Sequence, residues 1–107
     1  MNKVTQTLGL ADRLYPLILT GEKTSTIRWR ERHIVPGALR FVCDGNVAQT
    51  VDVEVLRCSD MPLSEAAAFV GRADEWPDAI MLEGMREHYP EIVLSDVVQV
   101  VEFKLPT

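Results

Sequence analysis

The sequence predicts an α+β fold, a small mixed β-barrel with short helices flanking a cleft. Segments in which apolar residues alternate with polar ones recur along the chain, which is typical of strands. Short segments between them carry proline at the start or glycine at the end, which is typical of helices. The 107 residues suit one compact domain, so we expect residues 1–107 to form a single domain.

The composition is that of an ordinary globular chain, with 47% hydrophobic and 25% charged residues. No stretch approaches the roughly 20 apolar residues of a membrane span, and residues 1–6 lack an apolar signal region. We therefore expect a cytoplasmic protein that has no membrane partner. Cys43 and Cys58 lack metal-ligand spacing and are expected to be reduced, partly buried thiols.

The net charge of −5 is unevenly distributed along the chain. Residues 1–40 carry seven Lys/Arg and three Asp/Glu, a net of +4, whereas residues 41–107 carry four Lys/Arg and thirteen Asp/Glu, a net of −9. This balance argues against a general nucleic-acid coat protein and favours a small polar or anionic ligand, or a short nucleic-acid segment. The alternative is that the charges cancel in the fold.

In the first third of the chain, alternation predicts a strand over residues 3–9. Pro16 suits the first turn of a short helix over 15–20, and Gly21 suits the left-handed position just past its end. Residues 25–32 have the pattern of a second strand. Its period-two geometry places five side chains on one face: Thr24, Thr26, Arg28, Arg30 and Arg32.

Turn motifs separate the predicted strands in the middle of the chain. Pro36-Gly37 precedes a predicted strand over residues 38–43, and Asp44-Gly45-Asn46 predicts a hairpin into the next strand. Four valines are expected to line that next strand: Val47, Val51, Val53 and Val55.

Two short helices and a last strand complete the predicted elements. One helix is expected to be capped by Ser64 and ended by Gly71. Another opens at Pro77 and ends at Pro90. Three residues share its buried side: Met81, Met85 and Tyr89. Residues 97–105 form the last strand, which makes five or six strands in all.

The loop over residues 21–28 carries an amine, several hydroxyls and a guanidinium group, which suit an anion, a carbonyl group or a nucleic-acid fragment. Lys23, near a helix C-terminus, either only favours the helix dipole or turns inward and acts as a base. Thr26 is a candidate nucleophile, although threonine is common in strands. Thr24 and Ser25 are competing hydroxyls, and spacing does not choose among the three.

Three arginines follow on the predicted strand. Arg28 is nearest the loop and is expected to lie inside a pocket, whereas Arg30 and Arg32 are better explained by ion pairs with downstream acids. Trp29 and Trp76 are expected in the core or at its rim, where either ring is able to stack on a base.

Asp74 and Glu75 precede the helix that opens at Pro77. They either favour the positive end of that helix or meet the lysine, orienting it or shuttling protons. His33 and His88 lack metal-ligand spacing, and the sequence contains no Walker loop, G-x-G-x-x-G motif or zinc pattern. We therefore expect no cofactor and no metal.

The loop and its flanks resemble the ASCH domain, a branch of the PUA-like superfamily. Residues 17–28, Leu-Ile-Leu-Thr-Gly-Glu-Lys-Thr-Ser-Thr-Ile-Arg, are similar to the family's apolar run, its G-x-K-T motif and its arginine-bearing strand. Pro36-Gly37, His88-Tyr89-Pro90 and Val101-Glu102-Phe103 match in order. The resemblance covers nearly the whole chain and implies a mixed β-barrel with helices around a cleft.

Some small bacterial ASCH proteins are amidohydrolases that remove the acetyl group from N4-acetylcytidine. The resemblance implies that Lys23, Thr26 and an acidic residue, Glu75 or Asp74, form the catalytic set, with no metal and no obligate protein partner. Substrate-binding residues are expected in the same element: Gly21, Glu22, Thr24, Arg28, Trp29 and Arg30.

Other ASCH proteins have been linked to RNA binding or RNA cleavage. Residues 29–33, Trp-Arg-Glu-Arg-His, are more basic here than in the hydrolase subfamily. The leading expectation is an amidohydrolase acting on a modified pyrimidine nucleoside. The alternative is an RNA-binding module, with or without ribonuclease activity, in which the arginines of residues 28–40 hold phosphates of a short RNA. A third is a small-ligand sensor with no turnover.

Overall fold

A mixed sheet of five strands organises the chain in a computed structural model that describes residues 6–106. The strands lie in the order β1-β3-β4-β5-β2. Their bounds are β1 Thr7–Leu10, β2 Ser25–Arg28, β3 Gly37–Cys43, β4 Asn46–Pro62 and β5 Val97–Lys104. Three short helices accompany them, α1 Tyr15–Leu19, α2 Leu63–Phe69 and α3 Asp78–Arg86, and a 3₁₀ turn, Asp12–Leu14, precedes α1.

Strand β3 pairs on both sides, in parallel with β1 and antiparallel with β4. Its residue Phe41 lies opposite Leu8 on β1 and opposite Val51 on β4, and all three side chains are buried. The turn at Asp44-Gly45 joins β3 to β4, so the predicted hairpin is confirmed. Alternation along these strands therefore builds one apolar face, as period two requires.

The described residues form two compact units, each with its own hydrophobic core. The first unit comprises residues 6–26, His33–Cys58 and 101–106, and the second comprises Ile27–Arg32 and Ser59–Val100. The first core is centred on β1, β3 and β4; its fully buried members include Leu10, Ile18, Ile34, Leu39, Phe41, Cys43 and Val101. The second core contains Leu63, Ala66, Ala67, Met81, Met85, Ile92, Val98 and Val100.

Helix α1 begins at Tyr15, as the sequence predicts, and ends at Leu19, one residue before the predicted end. Pro16 lies in its first turn, where the missing N–H leaves no donor unpaired. Gly21 follows with φ of +82°, a left-handed conformation that costs glycine least. Gly71 after α2 has φ of +76° for the same reason. The predicted first strand is confirmed over Thr7–Gly9, and its residues 3–5 lie outside the described part of the chain.

The predicted strand over residues 25–32 is wrong beyond Arg28. Arg30 has φ of +59°, which ends the extended conformation, and Trp29 packs against the second core. Because the period-two pattern stops at this turn, the predicted single face of five side chains does not extend to Arg30 and Arg32.

Three smaller predictions are also wrong. Ser64 lies inside α2 and does not cap it. The amides of Leu63 and Ser64 in the first turn donate to the carbonyls of Asp96 (2.9 Å) and Leu94 (3.0 Å). These amides therefore have partners without a side-chain cap. Val47 is 77% exposed because it lies next to the hairpin turn. Helix α3 ends at Arg86, so Tyr89 follows the helix and only Met81 and Met85 share its buried side.

Arg40 and Asp52 form a paired contact across β3 and β4. Two hydrogen bonds join them, from Nε to Oδ1 (2.7 Å) and from Nη2 to Oδ2 (3.1 Å). The Arg40 hydrogen bonds hold the pKa of Asp52 below its ordinary value, so the pair stabilises the fold at pH values above the unfolded-state pKa of about 3.9.

We expect Arg40→Gln to lower the thermal unfolding midpoint at pH 7 by roughly 1–4 °C, since water screens this exposed pair. The difference between the variant and the wild type should disappear as the pH falls through the lowered pKa, because Asp52 is then protonated in both states. Thermal unfolding followed by circular dichroism between pH 7 and pH 2 measures this. A difference that persists at pH 2 would show that the stabilisation is not ionic.

Candidate functional site

The loop that follows α1 is held by the carbonyl groups at the end of that helix. The amide of Gly21 donates to the carbonyl of Ile18 (3.1 Å), and the amide of Lys23 donates to that of Leu17 (3.0 Å). The carbonyl of Thr24 accepts a hydrogen bond from the amide of Phe103 on β5 (2.9 Å). The backbone around Lys23 is therefore held by hydrogen bonds on both sides.

Lys23 and Thr26 lie in one short segment of the first unit. The Lys23 amine donates to the carbonyl of Ser25 (2.8 Å), which directs this half-buried side chain towards the start of β2. Thr26 is only 5% exposed, whereas Thr24 is exposed and Ser25 is half-buried. Burial thus separates the three hydroxyl-bearing residues that sequence spacing leaves equivalent, and Thr26 is the most protected from water.

Glu22 and Gly21 are exposed at the tip of this loop. The amide of Glu22 lies 3.5 Å from the hydroxyl of Thr20, which itself donates to the carbonyl of Leu17 (3.2 Å). These contacts satisfy the end of α1 and leave the loop tip at the surface.

Five side chains of the second unit form a cluster that we call the Tyr89 cluster: Arg28, Trp29, Arg30, Glu31 and Tyr89. The Tyr89 hydroxyl donates to Glu31 Oε2, and Glu31 Oε1 lies 3.5 Å from Arg28 Nη1. The ring of Trp29 meets the ring of Tyr89 edge to face, with centroids 6.0 Å apart. The Arg30 guanidinium lies 4.2 Å from the centroid of the Trp29 ring, within cation–π range.

The two acidic candidates are at the surface of the second unit. Glu75 Oε2 accepts from Arg72 Nη1 at 2.9 Å, and its side chain is 61% exposed. The same Arg72 guanidinium lies 5.7 Å from the centroid of the Trp76 ring. Asp74 is exposed. Arg72 is therefore an unforeseen partner of Glu75, at the i,i+3 spacing that allows such a pair.

The sequence does not predict the contact between Glu31 and Tyr89. The two residues are 58 positions apart, and no local pattern connects them. The predicted helix places Tyr89 on its buried side with Met81 and Met85. The predicted strand places Glu31 on the face opposite the arginines. No sequence signal points to this contact, because the predicted helix already accounts for Tyr89.

The described residues include a buried cysteine and no cluster of metal ligands. Burial raises the pKa of the Cys43 thiol, with smaller contributions from Asp12 and Asp44, so this core thiol stays protonated at neutral pH. Within residues 6–106, no group of three or more His, Cys, Asp or Glu side chains is placed to hold a metal ion. Nor does any helix of that range have the length and apolarity needed to cross a bilayer.

Solved structures with a similar fold exist, although no family model and no curated protein sequence matches the chain. A single-site mutant of ZmASCH from Zymomonas mobilis aligns with 92% of this chain and 67% of its own, at 11% identity and a TM-score of 0.68. The ASCH domain from Lactobacillus crispatus aligns with 94% of this chain and 80% of its own, at 16% identity and a TM-score of 0.62. The chain has the fold of an ASCH domain.

A third structure agrees with this assignment. Protein EF3133 from Enterococcus faecalis, of the family model DUF984, aligns with 97% of this chain and 81% of its own, at 14% identity and a TM-score of 0.61. The α+β class and the barrel-like ASCH fold predicted from the sequence are therefore confirmed. In this ASCH fold the G-x-K-T segment is the connection from α1 to β2.

Proposed function

We propose that the protein is an amidohydrolase that removes the acyl group from N4-acetylcytidine or a related modified pyrimidine nucleoside. The observation that carries the proposal is the segment from Lys23 to Thr26, in which a held amine lies three residues from a buried hydroxyl. A threonine hydroxyl becomes a nucleophile when a nearby base removes its proton, and a lysine amine is such a base. The ASCH fold supports this reaction class through the resemblance described above.

In the proposed reaction, the neutral Lys23 amine takes the proton of the Thr26 hydroxyl. The oxygen attacks the acetyl carbonyl carbon, and the C–N bond to the cytosine amine breaks as that nitrogen receives a proton. A water molecule then cleaves the acyl ester, so the balanced products are cytidine and acetate. Arg28, two residues further along β2, carries the positive charge suited to stabilising the negative oxygen of the tetrahedral intermediates.

The acidic member of the set is proposed as Glu75, with Asp74 as the alternative. Its role is to orient Lys23 or to protonate the departing amine. Comparing turnover in Glu75→Gln with turnover in Asp74→Asn distinguishes the two, since each variant removes one charge and keeps the side-chain shape.

The deciding experiment is incubation of the purified protein with N4-acetylcytidine, followed by chromatography for cytidine. Release of cytidine in proportion to time and protein concentration supports the amidohydrolase. If no cytidine appears from N4-acetylcytidine or from other N4-acylated pyrimidine nucleosides, the proposal is wrong.

The second candidate function is binding of short RNA, with or without its cleavage. The Arg30 guanidinium over the Trp29 ring favours it, because stacked aromatic and guanidinium planes also accept nucleobases. Arg30 and Arg32 are both exposed and both available to phosphates.

For an RNA-binding protein, we expect the Arg30→Ala/Arg32→Ala double variant to weaken binding of a short single-stranded RNA. The slope of log affinity against log salt concentration should become shallower by about 1.4, since each lost phosphate contact reduces that slope by about 0.7. Fluorescence anisotropy at several salt concentrations measures this. The matched control is Arg57→Ala on β4, another exposed arginine, which should bind like the wild type. Equal binding by all three proteins contradicts a role of these arginines.

A further inference from the structure

We infer that Glu31 and Tyr89 are positioning residues for Arg28, holding its guanidinium in the direction in which it acts on the substrate. The structure shows a connected chain of side chains, from the Tyr89 hydroxyl to the Glu31 carboxylate and on to the Arg28 guanidinium. The inference rests on the proposed function, in which Arg28 binds the developing negative charge.

The backbone turn after β2 is what brings Glu31 to Arg28. In a continuing strand, residues 28 and 31 would lie about 10 Å apart and point to opposite faces of the sheet. The strand ends at Arg28, and the backbone bends over residues 29–31, where Arg30 has a left-handed conformation with φ of +59°. A non-glycine residue in that conformation is uncommon, and such strain is maintained only where the surroundings hold it. Here its consequence is the approach of the Glu31 carboxylate to Arg28.

Both carboxylate oxygens of Glu31 are engaged. Oε2 accepts a hydrogen bond from the Tyr89 hydroxyl, and Oε1 faces Arg28 Nη1 at 3.5 Å. The first contact fixes the rotation of the carboxylate, so the second oxygen has a defined position from which to direct the arginine. The Arg28 side chain is 14% exposed and that of Glu31 is 32% exposed, so water screens this pair less than it screens the Arg40–Asp52 pair, whose side chains are 44% and 45% exposed.

Tyr89 is itself anchored in the second unit. Its amide donates to the carbonyl of Met85 at the end of α3 (2.8 Å), and its carbonyl accepts from the amide of Ile92 (3.0 Å). Its ring lies against the ring of Trp29 and packs on the second core. The hydroxyl is thus held by a folded backbone and a packed ring, which makes it a rigid support for a flexible arginine.

The test is a double-mutant cycle that combines Tyr89→Phe with Arg28→Ala. Tyr89→Phe deletes one hydroxyl and keeps the ring that packs on Trp29. We expect it to lower kcat/KM by roughly 3- to 10-fold in the wild-type background. In the Arg28→Ala background the same change should alter kcat/KM by less than about 1.5-fold, because the group that it orients is gone. The matched control is Tyr15→Phe in the first unit, which should keep wild-type kinetics.

An equal loss in both backgrounds would overturn the inference, since Tyr89 would then act without Arg28. No loss in the wild-type background would overturn it as well.

A measurement without substrate separates this inference from the proposed function. The Nε–H resonance of Arg28, assigned by its disappearance in Arg28→Lys, reports how firmly the guanidinium is held. We expect Tyr89→Phe to shift it and speed its exchange with water, and Tyr15→Phe to leave it unchanged. If the wild type releases no cytidine, the proposed function fails and this resonance alone decides the positioning role. An Arg28 resonance that is the same in Tyr89→Phe and wild type would overturn that role.

Discussion

Replacing Lys23 with alanine is expected to lower turnover of N4-acetylcytidine by at least about 10³-fold, because Thr26 then loses the group that accepts its proton. The fold should persist, since the contact of the Lys23 side chain with the Ser25 carbonyl is local and the backbone bond to Leu17 does not need the side chain. Chromatographic assay of cytidine release measures the loss of activity, and thermal unfolding should show a midpoint within about 5 °C of the wild type.

Two further variants show whether the amine of Lys23 acts as a base. Lys23→Arg supplies a permanent positive charge that does not accept a proton at neutral pH, so it should be as inactive as Lys23→Ala. Lys104→Ala removes an exposed lysine on β5 and should retain full activity. Turnover near the wild-type rate in Lys23→Arg would reduce the role of this residue to its charge. Turnover near that rate in Lys23→Ala would show that Lys23 contributes only an interaction with the helix dipole.

Local signals predict much of the fold. Pro16 and Gly21 bound α1, and Asp44-Gly45 marks the hairpin, because each of these residues acts on its own backbone dihedrals. The strand predicted through Arg32 fails because a non-local contact prevails. Trp29 packs on the second core and the chain turns at Arg30, which local alternation does not encode.

The same difference between local signals and non-local contacts applies to the candidate site. Lys23 and Thr26 are three positions apart, so a sequence pattern is able to join them, and the structure adds the burial that distinguishes Thr26 from Thr24. The contact of Tyr89 with Glu31 spans 58 positions and depends on where α3 ends. Contacts of that kind come from tertiary packing, and a single sequence contains no periodic trace of them.

Gln6 illustrates a stabilising residue that neither composition nor periodicity identifies. It is 8% exposed and precedes β1. Its Nε2 donates to the carbonyls of Val35 (2.8 Å) and Ala38 (3.0 Å), and its Oε1 accepts from the amide of Val35 (3.0 Å). One side-chain amide thus satisfies three backbone groups at the entrance to β3. Backbone groups left without partners in such a place are costly.

We expect Gln6→Leu to lower the free energy of unfolding by about 2–4 kcal/mol, because it keeps the side-chain volume and strips three backbone groups of their partners. Urea unfolding measures the change, and an unaltered m-value would show that the unfolded state is the same. The matched control is Gln49→Leu on β4, which should stay within about 0.5 kcal/mol of the wild type.

A second variant, Gln6→Glu, tests whether the donor atoms of Gln6 are needed. Its ionised carboxylate would face the carbonyls of Val35 and Ala38 without a proton to donate. It should therefore be at least as destabilising as Gln6→Leu at pH 7 and recover part of the loss in acid, where the carboxyl group regains a donor. We expect burial beside two carbonyl groups to hold the folded-state pKa of this carboxyl above its unfolded value of about 4.3, so the recovery begins as the pH falls through the folded-state pKa and is complete below about 4.3. A Gln6→Leu variant less than 1 kcal/mol weaker than the wild type would mean that water replaces the amide.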